Sequence, residues 1–232
     1  MATVLNSAIG YFSVQYASLS LPTPTAGNLL IVHYGTENTG TISYFGGGLT
    51  WTKQSTTFDT TAGVKAEMFT RVASGSESAF SIYHFSGTPD SVIAYAELDP
   101  NKLDTYKSRG SGYGTTSSSS NLDLDFLLSS AGAPAQGGVG FLFHKNTGLF
   151  SSGTTSGWGS TITIDSQVSG GGVSGVLVDY DAGGLATGSN IVNIAHSNYG
   201  ASYIWHAPAI DGPSGPPPSG GQEILTLRSQ GY

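Results

Sequence analysis

The 232 residues contain no cysteine, so neither disulfides nor thiolate-bound metals can brace the fold, and stability has to come from packing and backbone pairing. Charge is also scarce. Asp, Glu, Lys and Arg make up 10% of the chain, against about 25% in an average soluble domain. The 8 Lys and Arg are scattered and the formal net charge is −7, so no continuous basic footprint for a phosphate backbone can be assembled and no nucleic-acid partner is expected. No apolar stretch approaches the roughly 18 residues needed to span a bilayer. The N-terminus lacks a basic segment followed by an apolar one, which predicts a soluble product starting at Met1, with no membrane insertion. Good helix formers are sparse as well, which argues against a helical domain.

What is present favours strands. Gly reaches 34 residues, Ser and Thr are abundant, and the apolar segments are rich in Val, Ile, Tyr, Phe and Trp, which suit a pleated surface. Leu29 to Tyr34 is a continuous apolar run, the pattern of a strand covered on both faces. Glu67 to Val72 alternates, with Met68 and Val72 on one side and Glu67 and Arg71 on the other. Leu122, Leu124 and Phe126 alternate with Asp123 and Asp125 in the same way. Further strands are expected at Phe80 to His84, Val92 to Leu98, Val139 to His144, Thr161 to Asp165, Val176 to Tyr180, Ile191 to His196 and Ser202 to His206. Roughly a dozen short strands at this spacing predict an all-β, jelly-roll-like β-sandwich over residues 1–210.

A weak internal repeat relates residues 20–100 to residues 130–210. "TAGNLLIVHYG", "GLTWTKQ", "AEMFTRVASGSES" and "FSIYHFSGTPDSVIAYAELDP" are answered by "AQGGVGFLFHK", "TSGWGST", "GVLVDYDAGGLATG" and "IVNIAHSNYGASYIWHAPA". In this alignment His33 matches His144 and Trp51 matches Trp158. The polar stretch Asn101 to Ser120 between the halves reads as an exposed loop or linker. It is a crossing loop if the halves form one sandwich, and a domain boundary if they form two. One unit is favoured, because a half with so little charge would leave a large apolar face uncovered.

Beyond Asp211 the run "GPSGPPPSGG" should be extended and semi-rigid, making residues 211–232 a linker and C-terminal arm. Its tail holds Ile224, Leu225 and Leu227, ending at Tyr232. That segment is suited to adding a strand to a neighbour's sheet edge, with folding back onto its own sheet or staying disordered as the other readings.

Catalytic and metal patterns are thin. Glu97 and Asp99, Asp123 and Asp125, and Asp179 and Asp181 have the two-residue spacing of a retaining glycosidase pair. Pro100-Asn101-Lys102 stands where a glucanase-type motif would continue with a second Glu, and Asp123 and Asp125 read as the polar side of a strand. Asp179 to Gly184 reads as a solvated turn rather than a cation loop. His33, His84, His144, His196 and His206 fall inside strand-like runs without zinc spacing, and neither G-x-S-x-G nor a P-loop occurs. No catalytic residue, metal or cofactor is therefore expected. Trp51 and Trp158 read as core anchors. Tyr44, Phe45, Tyr106 and Tyr113, set among Gly and Ser, are the expected exposed aromatics, available to stack on a sugar ring.

The order "GNLLIV", "LTWTK", "AEMFTRVASGSES", "YAELD" resembles repeated β-sandwich modules in structural proteins of tailed bacteriophages, over most of residues 20–100 and more loosely over 135–210. The resemblance implies a non-enzymatic protein of the virion, made in the host cytoplasm and exposed on the capsid or tail as a decoration or minor tail protein. The partners it implies are other virion proteins and further copies of this chain. A host-surface glycan is the alternative partner, and a jelly-roll glycosidase the remaining reading.

Overall fold

The computed structural model describes residues 4–46, 49–59, 63–98, 106–115, 121–128, 135–156, 162–180, 188–197 and 202–211. Side-chain surroundings are described for 4–46, 49–54, 63–98, 139–151, 163–179 and 194–197. Every regular element among these residues is a strand. The first half holds β1 (Val4–Ser13), β2 (Tyr16–Ser20), β3 (Leu29–Thr36), β4 (Ile42–Phe45), β5 (Thr52–Asp59), β6 (Val64–Val72), β7 (Ala79–His84) and β8 (Asp90–Leu98). The second holds β9 (Tyr106–Thr115), β10 (Asn121–Leu128), β11 (Ala135–His144), β12 (Phe150–Ser156), β13 (Ile162–Gly170), β14 (Val173–Tyr180), β15 (Gly188–His196) and β16 (Ser202–Asp211).

In the first half a five-stranded sheet runs β1-β8-β3-β6-β5 and a three-stranded sheet runs β2-β7-β4. In the second the orders are β9-β16-β11-β14-β13 and β10-β15-β12. Adding eight to each strand number of the first half reproduces the second. All pairings are antiparallel, and β5 and β13 each carry a register shift, at Lys53/Ser55 and at Ile164/Ser166. The order β1-β8-β3-β6 over β2-β7-β4 is that of a jelly roll. The fifth strand departs from it, lying at the edge of the larger sheet as the hairpin partner of the sixth.

Several sequence expectations are corrected. Within the stretch read as a linker, Tyr106–Thr115 is the ten-residue strand β9, paired along its length with β16. An edge strand can be held by one row of backbone hydrogen bonds, so Gly and Ser can fill it without an apolar signature. Each half also begins earlier than the repeat alignment suggested, at Val4 and Tyr106, because β1, β2, β9 and β10 precede the aligned motifs. Among the described residues each half is itself a pair of sheets, giving four sheets.

The five-stranded sheets face one another. Ile31, Val64, Ala66, Met68, Val92, Ala94, Ala96 and Leu98 from the first half meet Val139, Phe141, Phe143, Val173 and Leu177 from the second in one buried cluster. Burying each larger side chain in it contributes about 1.5–3 kcal/mol. The opposite face of the first five-stranded sheet supplies Leu30, Val32, Tyr34, Phe69, Ile93 and Tyr95, which pack with Trp51 onto Ala17, Leu19, Phe80 and Ile82 of the three-stranded sheet. Alternate residues of β3 therefore enter two different cores, which explains its unbroken apolar run. Gly35 and Gly175 let the central sheets close up. A Cβ on Gly35 would lie 2.6 Å from Phe143, and one on Gly175 would lie 2.6 Å from Val92.

Candidate functional site

The buried carboxylates of the first half are committed to the fold. Glu97, on β8, is fully buried and accepts hydrogen bonds from Asn6 Nδ2 at 2.6 Å, the Thr25 backbone N–H at 2.8 Å and Asn28 Nδ2 at 2.5 Å. Burial by itself would raise its pKa, but these three donors outweigh burial and hold the carboxyl below its usual range. A glycosidase acid needs the opposite shift and an open approach to substrate. Asp99, its sequence partner, lies outside the described residues, as does Asp181. The side chains of Asp123 and Asp125 lie outside them too, and Asp179 is half-buried near the end of β14.

Glu77 plays a similar part at the turn after β6. Its carboxylate accepts hydrogen bonds from the backbone N–H groups of Ser74, Gly75 and Ser76 at 2.9, 3.0 and 3.1 Å, and pairs with Arg71 Nε at 2.8 Å. Burial opposes its charge, yet the Ser74 hydrogen bonds and Arg71 prevail and keep the pKa low. The segment Arg71 to Glu77, part of the motif that carries the phage resemblance, is thus an ionic clasp around a tight turn. Glu67, expected on a polar strand face, instead lies in the interior of the first sandwich, 2.8 Å from Lys65 and 3.8 Å from Lys53.

His33, His84, His144 and His196 are core residues, while His206 lies on β16 with its side chain outside the described residues. His33 is buried and stacks on Phe141 across the central interface, with ring centroids 5.4 Å apart. His84 lies against Tyr34, whose hydroxyl is 3.3 Å from the ring nitrogens, and burial lowers its pKa. His144 packs on His196 at 4.2 Å between centroids, and His196 Nε2 is 3.0 Å from the Ser174 hydroxyl. Burial, reinforced by the neighbouring His196, lowers the His144 pKa to about 4. The expected match of His33 to His144 fails by one residue. His33 faces the central core, whereas His144 faces the outer sheet as Tyr34 does, and a one-residue slip on a strand reverses the side-chain direction.

Aromatics divide between core and surface. Trp51 is buried with its ring edge-on to Phe80, while Trp158 lies outside the described residues. Tyr44 is only 37% exposed because its ring lies on Phe69 and Phe80. Phe45 is 51% exposed. Tyr106 and Tyr113 occupy β9, and their side chains lie outside the described residues, as do Ile224, Leu225, Leu227 and Tyr232 of the arm.

The sequence reading missed the outer surface of β2-β7-β4. Tyr16 is 56% exposed and stands directly opposite the half-buried Tyr83, which also pairs with Ser43 on the other flank. Phe85 is 59% exposed and edge-on to Tyr83 at 5.3 Å. In the next row Ser81 lies between Ser18 and Phe45, donating a 2.8 Å hydrogen bond to the Ser18 hydroxyl. The three strands contain no Asp, Glu, Lys or Arg. Alternation of Tyr16 and Ser18 with Ala17 and Leu19, and of Ser81 and Tyr83 with Phe80 and Ile82, was the available signal. The arrangement can stack and hydrogen-bond a ligand. No family model, curated protein or solved structure matches the chain.

Proposed function

We propose that the protein is a structural component of a bacteriophage particle, placed on the capsid or tail surface, and that it acts by packing against neighbouring proteins and further copies of itself. The observation that carries this reading is that its described buried carboxylates serve architecture. Glu97 and Glu77 hold turns, and Glu67 is ion-paired inside a sandwich. The motif order resembling phage modules supports it, as does a duplicated jelly roll whose middle is filled by side chains from both halves. Jelly rolls recur in viral capsid domains, which accords with this reading.

Antibodies raised on the purified protein should decorate intact particles in lysates of the host that carries the sequence, seen by electron microscopy. Recovery of the protein only in the particle-free fraction would overturn the proposal. For the arm, deletion of residues 212–232 should leave a folded sandwich that no longer joins the particle, and unchanged incorporation would remove that role.

A further inference from the structure

We infer that the outward surface of β2-β7-β4 is a binding site for a neutral saccharide. Tyr16, Tyr83, Phe45 and Phe85 supply aromatic rings, and Ser18 and Ser43 stand beside them as hydroxyl donors and acceptors. Sugar rings present C–H faces that stack on aromatics and rims of hydroxyls that need polar partners, and this surface offers both within one sheet. Directly opposite residues on antiparallel strands lie about 4.5–5.5 Å apart at Cβ, so Tyr16 stands beside Tyr83, whose ring meets Phe85 edge-on.

Charge selects the class of ligand. The strands of this sheet carry no ionic side chain. Lys53, Lys65 and Arg71, the Lys and Arg residues between Val4 and Leu98, are each ion-paired with Glu67 or Glu77. Among the described residues of the first half, an acidic glycan would find no cation outside an ion pair. Size argues against a second copy of the chain. Three strands about 4.8 Å apart and five residues long at about 3.3 Å each cover only on the order of 250 Å². A stable interface buries about 800 Å² per partner. The serines among the rings also fit a hydroxylated ligand better than a lipid surface.

The surface would serve a free protein as well as a particle-borne one, so its test is separate from particle labelling. The full-length protein should be titrated calorimetrically with neutral gluco- and galacto-oligosaccharides of four to six units, and applied to a glycan array holding acidic sugars. Binding of a neutral oligosaccharide is expected, weakened at least tenfold in Tyr16→Ala and in Tyr83→Ser, with Tyr16→Phe close to the parent because the ring persists. Melting temperatures of the three variants check that the fold survives. The inference fails if no neutral sugar binds, if binding is confined to acidic glycans, or if Tyr16→Ala leaves it unchanged in a folded protein. It also fails if these variants abolish self-association or binding to phosphatidylcholine vesicles and leave sugar affinity intact.

Discussion

Glu97 and Glu77 show how a chain with few charges places them. Each is buried, and each meets several donors, so the ionised form is the stable one. Removing such an acceptor strands its donors, which costs more than the bond itself gains. Glu97→Gln should therefore lower unfolding free energy by about 2–3 kcal/mol, and Glu77→Ala by a similar amount, both measurable by urea titration. Their depressed pKa values give stability that is fully present above the unfolded value near about 4.3 and is lost as pH falls through the folded values. His144 acts at higher pH. The unfolded histidine takes a proton near about 6.5, while the folded one resists until about pH 4. Across that window the unfolded state binds more protons, so stability should fall by about 3 kcal/mol as pH drops from about 6.5 to 4. His144→Phe should flatten that part of the pH profile followed by thermal melts, leaving the smaller contribution expected from His84, whose pKa is also lowered.

At the scale of the element, alternation was legible but its meaning was not. β6 has the period-two pattern of a half-exposed strand, yet both of its faces are covered. Met68 enters the central core, while Glu67 and Phe69 point into the first sandwich. β9 carried no strand signal because a polar edge strand takes its stability from its partner, β16. The β13–β14 hairpin turns at Gly171 and Gly172, with φ of 60° and 146°. Tyr11 from β1 lies across this turn, its hydroxyl donating to Asp90 at 2.7 Å, so the second half is clasped by the first. Close approach is equally tight at Gly175 against Val92. Gly175→Val should push the central sheets apart and cost about 1–3 kcal/mol in a denaturant titration, with strand content unchanged by circular dichroism.

For the whole molecule, duplication has a physical consequence. The central face of the first half, from Ile31 across to Leu98, is largely apolar, with His33 as a polar member, and is covered by the second half. Five strands about 4.8 Å apart and some eight residues long present on the order of 600 Å², at the upper end of what a soluble monomer exposes. Residues 1–98 expressed alone should therefore self-associate and bind a hydrophobic dye more strongly than the full chain. A monodisperse, dye-silent fragment in sedimentation and fluorescence measurements would contradict that view of the interface.

The sequence by itself determined the all-β class and the motif order that recurs in both halves, because β-branched and aromatic runs between glycine turns are local signals. It also indicated that β3 is covered on both faces, since its apolar run is unbroken. Only the tertiary structure decided that the described strands form four sheets, that Tyr34 rather than His33 shares its facing with His144, and that Tyr16 and Tyr83 stand side by side on an exposed surface. These facts depend on register and on sheet-to-sheet packing between residues far apart in the chain. A shift of one residue, invisible to composition, reverses the direction of every side chain on a strand.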